Sequence, residues 1–437
     1  MKSIFFILIF LLKFSVFSQT GVYFFKDKQH NITINNVAQA DFKPLKKQIL
    51  EKYSDDVYWF KIPSINSDSN YIFRILYERI QTAHAYQNSN QLKKLEHQRF
   101  LSYQFSRNND VYIKIDPELH AFIPIDLVTE KNALIKESYE LLLNGFYYGF
   151  AVVIIIYNLS YYILFRDDAF LYYSLFLSSM VLGIFTMDGM LNFYDINESL
   201  NNTIMILNYV FLAYFSSKFA NSYLLLDIYY PKLKRYSYVA GFLIIALGLL
   251  YINLKDYYYL LILNILVFTL LLAYWICTVL LFNKNVYVKI LAFAYVIILF
   301  SAIDFFVLKF LGISFLNVNG ITIKIGAFLE MIILSVAVLY RMKVLKEENE
   351  FMRNEIINYS KQLFSLAESQ HQNEKNHLDE LSMRERDIFN LIIQGKTNKE
   401  IADELNISIN TVKFHLKNIY EKLHIKSRKE AYNLAIG

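Results

Sequence analysis

Near its C-terminus the sequence gathers the side chains that grip a polyanion. From Ser408 to Lys429 it places six basic residues, Lys413, Lys417, Lys422, Lys426, Arg428 and Lys429, against the single acid Glu421. Charge of that density suits neutralisation of backbone phosphates, and an Asn or Lys near the start of a groove-bound helix can also reach base edges. Asn410, Thr411, Lys413, Phe414, Lys417 and Lys422 fall on one side of a helix. The other side carries Val412, Leu416, Ile419 and Leu423 at helical spacing, which predicts a buried stripe. His415 reads as a packing residue of this helix rather than a ligand or catalyst.

Such a helix needs neighbours to hold it. Ser382 with Glu385, Thr397 with Glu400 and Ser427 with Glu430 each have the spacing of a capping box, in which hydroxyl and carboxylate satisfy each other's free backbone donors. Ser408 supplies a further cap, so four short helices are punctuated in order. Between the second and third, small Ala402 permits close packing and Asn406 suits a turn. The pattern is a helix-turn-helix with Ser408 to Leu423 as recognition helix.

The run Gly395 to Ala402, followed by Thr411 to Leu423 and Ser427 to Ala431, resembles the LuxR-type helix-turn-helix family. The resemblance implies that Lys413, Phe414 and Lys417 read the major groove of promoter DNA and that Asn398 and Lys399 hold phosphate. Asn410 joins the base-reading candidates; Thr411 and Arg428 join the phosphate candidates. Phe414 is bulky for such a position and either contacts thymine methyl groups or packs against sugar.

Upstream the composition changes the setting. The chain is 55% apolar and 19% charged, below the roughly one quarter charged of soluble domains, which points to a membrane protein. Seven apolar stretches, centred near Ala151, Ser178, Tyr214, Ile245, Phe268, Ile297 and Ile332, are long enough to cross a bilayer as helices. Their connections hold nine basic residues on one side (Arg166, Lys232, Lys234, Arg235, Lys284, Lys289, Arg341, Lys343 and Lys346) and only Lys255 and Lys309 on the other. By the positive-inside rule the C-terminus is cytoplasmic, and the protein is a multi-pass component of the inner membrane.

Before the first span, Lys2, the apolar run Ile4 to Leu12 and Val16-Phe17-Ser18 read as a signal peptide over residues 1–18. Residues 19–136 alternate in short runs such as Val57 to Ile62, Tyr71 to Leu76 and Val111 to Ile115, which predicts an exported antiparallel β-sandwich. The bundle is assigned to 137–342, a coiled coil and flexible linker to 343–379, and the helix-turn-helix domain to 380–437. In the linker, Leu345, Met352, Tyr359 and Leu366 recur every seven residues, with Asn349, Ile356 and Leu363 between them, as in a short parallel dimeric coil.

The membrane part resembles the bacterial seven-transmembrane receptors with diverse intracellular signalling modules. Gly145 to Gly149, Tyr157-Asn158-Leu159 and Arg166-Asp167 stand as that family's first span and turn do, and Gly326, Glu330 and Arg341 resemble its last. The resemblance implies a jelly-roll periplasmic sensor for a carbohydrate or related ligand.

Lys218, Asp304, Lys324 and Glu330 lie in or near apolar helices, where an ionised group is costly unless paired or wetted. They serve either a ligand-linked relay or the fixing of helix register. The single cysteine, Cys277, reads as a packing residue. There is no Gly-rich phosphate loop, metal-ligand spacing or kinase module, so neither catalysis nor a cofactor or metal is expected. The fold class is thus a multidomain membrane protein: exported jelly-roll-like sandwich, seven-helix bundle, short coil and all-α DNA-binding domain, partnered by promoter DNA, membrane lipid and a second copy. Two other readings stand: a transporter or receptor whose terminal module binds a partner protein, and a membrane-held regulator released by proteolysis near residues 370–380.

Overall fold

The computed structural model describes residues 21–436 apart from 47, 53–55, 66, 68, 81, 118–121, 195 and 317. The expected signal peptide lies outside the described residues. Eleven strands among the described residues come first: β1 (Tyr23–Asp27), β2 (Lys43–Pro44), β3 (Ile49–Leu50), β4 (Val57–Ile62), β5 (Asn70–Ile75), β6 (Ala83–Gln87), β7 (Asn90–Leu92), β8 (Ser102–Ser106), β9 (Val111–Ile115), β10 (Phe122–Ile123) and β11 (Ile125–Thr129). They form an antiparallel sheet in the order β2-β1-β4-β9-β6-β7, a three-stranded sheet β11-β5-β8 and the pair β10-β3.

The larger sheets meet through Phe60 of β4 and Phe73 of β5, both fully buried with ring centroids 6.1 Å apart. Burying such a side chain stabilises the fold by about 1.5–3 kcal/mol. The opposite side of β4 is covered as well, since Val57 and Trp59 pack with Val37 while Ile32, Ile34 and Phe42 close over them. Asp27 fixes this covering segment by accepting the backbone N–H groups of Gln29 (3.3 Å) and Ile32 (2.9 Å). Covered on both faces, β4 reads Val-Tyr-Trp-Phe rather than alternating apolar and polar.

The helices that follow are α1 (Glu130–Phe165), α2 (Asp168–Met187), α3 (Glu198–Leu224), the short α4 (Leu226–Tyr229), α5 (Pro231–Leu254), α6 (Tyr257–Leu280), α7 (Val286–Ile303) and α8 (Gly320–Asp379). Seven of them are long and apolar enough to cross a membrane, and each of the seven expected centres falls inside one. Helix α1 starts at Glu130, within the stretch assigned above to the sandwich. Its first turns are charged because they face the sheet domain: Lys136 pairs with Asp126 (2.9 Å), and Glu137 takes Arg74 (2.9 Å) and Arg99 (2.5 Å). Arg74 also bonds Asp126 at 2.6 Å, and Arg99 reaches Glu140. Burial works against the Asp126 carboxylate, but Lys136 and Arg74 outweigh it and hold the group below its ordinary range.

Two glycines let backbones touch where sheet domain meets bundle. Gly189 has φ +70°, and a Cβ there would stand 2.2 Å from the Arg99 carbonyl oxygen; Gly312 has φ +74°, with the Lys52 nitrogen 2.5 Å from the same notional atom. Only glycine combines that conformation with that approach.

The intramembrane polar residues are placed individually. Lys324 donates to Asn144 (2.6 Å) and Asp188 (3.0 Å), joining α8 to α1 and the end of α2. Near the other end of the spans, Arg341 of α8 bonds Asp167 (2.6 Å) and the carbonyls of Ser222 and Tyr223. Asp304 accepts backbone N–H groups of Phe315 (2.7 Å) and Leu316 (3.1 Å), closing the loop before α8. Lys218 lies over the Tyr214 ring at 5.6 Å. Glu330 is fully buried, and neither carboxylate oxygen has a hydrogen-bond partner among the described residues.

Candidate nucleic-acid interface

Four further helices compose the C-terminal domain: α9 (Met383–Ile393), α10 (Asn398–Glu404), α11 (Ile409–Lys422) and α12 (Arg428–Ile436). Ser382 and Thr397 each form a complete capping box, with Glu385 and Glu400 respectively. Ser408 accepts the Thr411 N–H at 3.0 Å. At the fourth start Ser427 caps the Glu430 N–H, but the Glu430 carboxylate reaches one residue further back than a box requires, to the Lys426 N–H at 2.7 Å. The turn between α10 and α11 passes through Asn406 at φ +49°, a left-handed conformation that Asn tolerates better than most residues.

Ile388, Ile392, Ile401, Val412, Ile419 and Ala431 form the centre of a closed core, with Ala402, Leu416 and Leu423 around them. Arg384 donates to the Leu405 carbonyl (2.9 Å), pinning the turn to α9. Lys422, placed by its sequence position on the presented side, instead bonds the buried Glu385 carboxylate at 2.7 Å and ties the end of α11 to the start of α9. That contact, with the Ser382 N–H, holds Glu385 below its ordinary carboxylate range.

What α11 presents is therefore narrower than its sequence. Asn410, Lys413, Phe414 and Lys417 are all exposed; Lys413 and Phe414 stand three and four residues after Asn410 and four and three before Lys417, so the four share one face. Val412, Leu416 and Ile419 are buried on the other. Phe414 is 62% exposed, so it packs no core. Lys417 has Glu421 one turn on at 3.8 Å, a surface pair. His415 is half-buried beside Phe414, with ring centroids 5.8 Å apart.

The other candidates flank this face less uniformly. Lys399 is exposed in the first turn of α10. Asn398 and Arg428 are brought together, Arg428 Nη1 donating to Asn398 Oδ1 at 3.2 Å, although they are thirty residues apart. Arg428 Nη2 is buried without a hydrogen-bond partner among the described residues. Thr411 is half-buried, its hydroxyl engaged with that of Ser408 at 2.8 Å. Sequence reasoning did not single out Lys426, which lines with Lys413, Lys417 and His424 a shallow concavity of about 630 Å³ beyond the C-terminal half of α11. The only signal for it was its membership of the basic cluster.

An exported-type antiparallel sheet domain, seven apolar helices and a capped four-helix domain with a helix-turn-helix define a membrane-bound transcription regulator. Residues 379–435 match the family described as bacterial regulatory proteins, luxR family, and the chain belongs to that family. Residues 140–341 match the 7TM diverse intracellular signalling family and residues 19–129 the 7TMR-DISM extracellular 2 family. Among similar proteins, spore germination protein GerE of Bacillus subtilis is 51% identical over 51 residues, 12% of this chain and 69% of GerE. The transcriptional regulatory protein LiaR of Bacillus subtilis is 51% identical over 53 residues, and the nitrate/nitrite response regulator protein NarL of Escherichia coli 50% over 54. Each of those matches spans 12% of this chain and a quarter of the relative.

Proposed function

We propose that this protein is a one-component signal transducer of the inner membrane, in which a periplasmic ligand bound by the sheet domain changes how a cytoplasmic pair of helix-turn-helix domains occupies promoter DNA. The observation that carries the reading is the exposed face Asn410, Lys413, Phe414 and Lys417 on a helix whose opposite face is buried. Three- and four-residue spacing along a well-anchored helix is what insertion in a major groove demands. In this reading those four residues face base edges, with Phe414 against a thymine methyl or sugar. Lys399, Thr411 and the Asn398–Arg428 pair meet phosphate on either side.

Dimerisation is supported by α8. Met352, Ile356, Tyr359, Leu363 and Leu366 are all more than half exposed on it, a heptad stripe that a second copy would bury. In this proposal residues 343–379, which continue α8 as helix to Asp379 where the sequence predicts a flexible joint, act as the coil, and residues 1–18 direct export and are removed. The ligand class, by likeness to the extracellular family, is carbohydrate or a related polar molecule.

The deciding experiment is promoter occupancy in cells, comparing the intact chain with one ending before Asp379. Discrete occupied sites for the intact chain and none for the truncation are expected. Absence of occupied sites in both would transfer the terminal domain to a protein-binding role.

A further inference from the structure

A cleft of about 480 Å³ opens between α3, α5 and α6. Its walls are apolar, with Phe215, Ile244 and Leu270 inside and Phe211, Phe242 and Ile245 exposed at the rim. Gly241 widens it, because a Cβ there would meet nothing within 4 Å. Two cations stand at one end. Lys218 lies six residues before the end of α3 at Leu224, about 9 Å along the helix, and Lys234 lies in the first turn of α5. Both line the cleft, together with Asn221 and Ser237.

The charges are only partly answered within the chain. Lys234 has Asp227 at 3.5 Å, both side chains remaining about half exposed, while Asp227 also accepts from Asn221 at 2.9 Å. Lys218 has the Tyr214 ring beneath it. Two lysines and one carboxylate leave the cleft's polar end with a net positive charge. By the positive-inside pattern this end faces the cytoplasmic leaflet, at the depth where lysine stems bury and ammonium groups reach the headgroups.

We propose that this cleft binds one anionic phospholipid of the inner leaflet, its phosphate on Lys218 and Lys234 and an acyl chain against Phe215, Ile244 and Leu270. An apolar trough open along the lipid-facing side, with cations only at its headgroup end, matches an amphiphile oriented as the bilayer already orients it. The volume lies within the range of small-molecule sites. The bound lipid bridges α3 and α5.

The full-length chain, purified in a neutral detergent, is titrated with dioleoylphosphatidylglycerol or dioleoylphosphatidylcholine, and bound lipids are counted by native mass spectrometry. The first phosphatidylglycerol binds at least tenfold more tightly than the first phosphatidylcholine. Lys218→Gln and Lys234→Gln each reduce that preference about fivefold, since a lysine near a charged headgroup contributes about that factor. Lys289→Gln, at the cytoplasmic end of α7 outside the cleft, leaves the preference intact. Gly241→Phe, at a cleft-lining position where an added Cβ meets nothing within 4 Å, narrows the trough and lowers occupancy by both lipids. Equal binding of the two lipids by the parent chain overturns the proposal, as does an equal loss in Lys289→Gln, which would indicate diffuse surface attraction. Displacement of phosphatidylglycerol by an equimolar amount of soluble glycerol 3-phosphate would also overturn it, in favour of a simple phosphate site.

Discussion

Truncating Lys399 in the C-terminal domain is expected to fail in a different way from truncating Lys413 or Lys417, and the difference tests whether the domain reads DNA. Lys399 is exposed in the first turn of α10, a different helix from the one that carries Asn410 and Lys413. If it meets one phosphate, Lys399→Ala weakens binding to every sequence alike and lowers the slope of log affinity against log salt by about 0.9. Lys413 stands in the middle of the presented face, and loss of a contact to a guanine edge there costs about 1–3 kcal/mol at the preferred site only. Lys417 must first leave Glu421, but an exposed pair one turn apart is worth only about 0.3–0.5 kcal/mol. The gain from a base contact exceeds that, so Lys417→Ala should resemble Lys413→Ala. Leu416→Ala opens the core at a cost of about 2–5 kcal/mol, comparable to the whole stability of so small a domain, and abolishes all binding together. The assay is fluorescence anisotropy of the fragment from Asp379 onward, titrated with salt on a selected site and on random duplex, with circular dichroism to report folding. Wild-type affinity absent from both duplexes at low salt, or Lys413→Ala and Lys417→Ala indistinguishable from wild type, would refute the DNA-reading assignment.

Further outcomes follow from the same geometry. Replacing Ile356 and Leu363 together by Asp should abolish crosslinking between copies through the coil and reduce promoter control; unaltered control would remove the need for a coil. Glu385→Ala removes the N-cap partner and the Lys422 contact, so urea denaturation of the fragment at pH 7 should show a loss of about 2 kcal/mol. Because the Glu385 carboxylate is held below its ordinary range, its contribution is complete above that range and fades as the pH falls through it, so mutant and parent should converge in acid. Glu78, in the sheet domain beside Arg79, is pushed up to about 7 chiefly by burial, with Arg79 opposing. A carboxyl raised on folding favours the folded state at low pH, so thermal stability of the sheet domain should decline from about pH 4.5 to about pH 7; Glu78→Gln should flatten that decline and fare better at pH 8. A reporter active only in the periplasm should function when fused after Lys136 and fail after Lys346, and equal activity at both would reverse the topology.

Local patterns carried most of the architecture. Val57 to Ile62 and Val111 to Ile115 are strands as their composition predicts, and each apolar stretch is a helix, because strand and span signals lie within single segments. The boxes at Ser382 and Thr397 were legible for the same reason, each closing within four residues. Pairings distant in sequence were not. Asp188 and Asn144 as partners of Lys324, and Arg74 and Arg99 as partners of Glu137, join segments dozens of residues apart or more. An arginine inside an apolar strand, as at Arg74, hints at a buried partner without naming it. The same limit hid Lys422: its residue type suggested DNA, whereas its distance to Glu385 makes it a brace.

The hydrogen bonds that begin each of the last four helices connect residues no more than four apart, and among the described residues the core beneath them draws on residues 381–431 and their neighbours. A segment closed so locally can be cut from one gene and joined to another without new contacts to complete it. Recombination can therefore set the same module after very different inputs, as its occurrence in 69% of GerE and in a quarter of NarL illustrates. In this chain the module follows a sheet domain and seven apolar helices, so under the proposed function selection on promoter preference and selection on ligand sensing act on separate stretches of one gene.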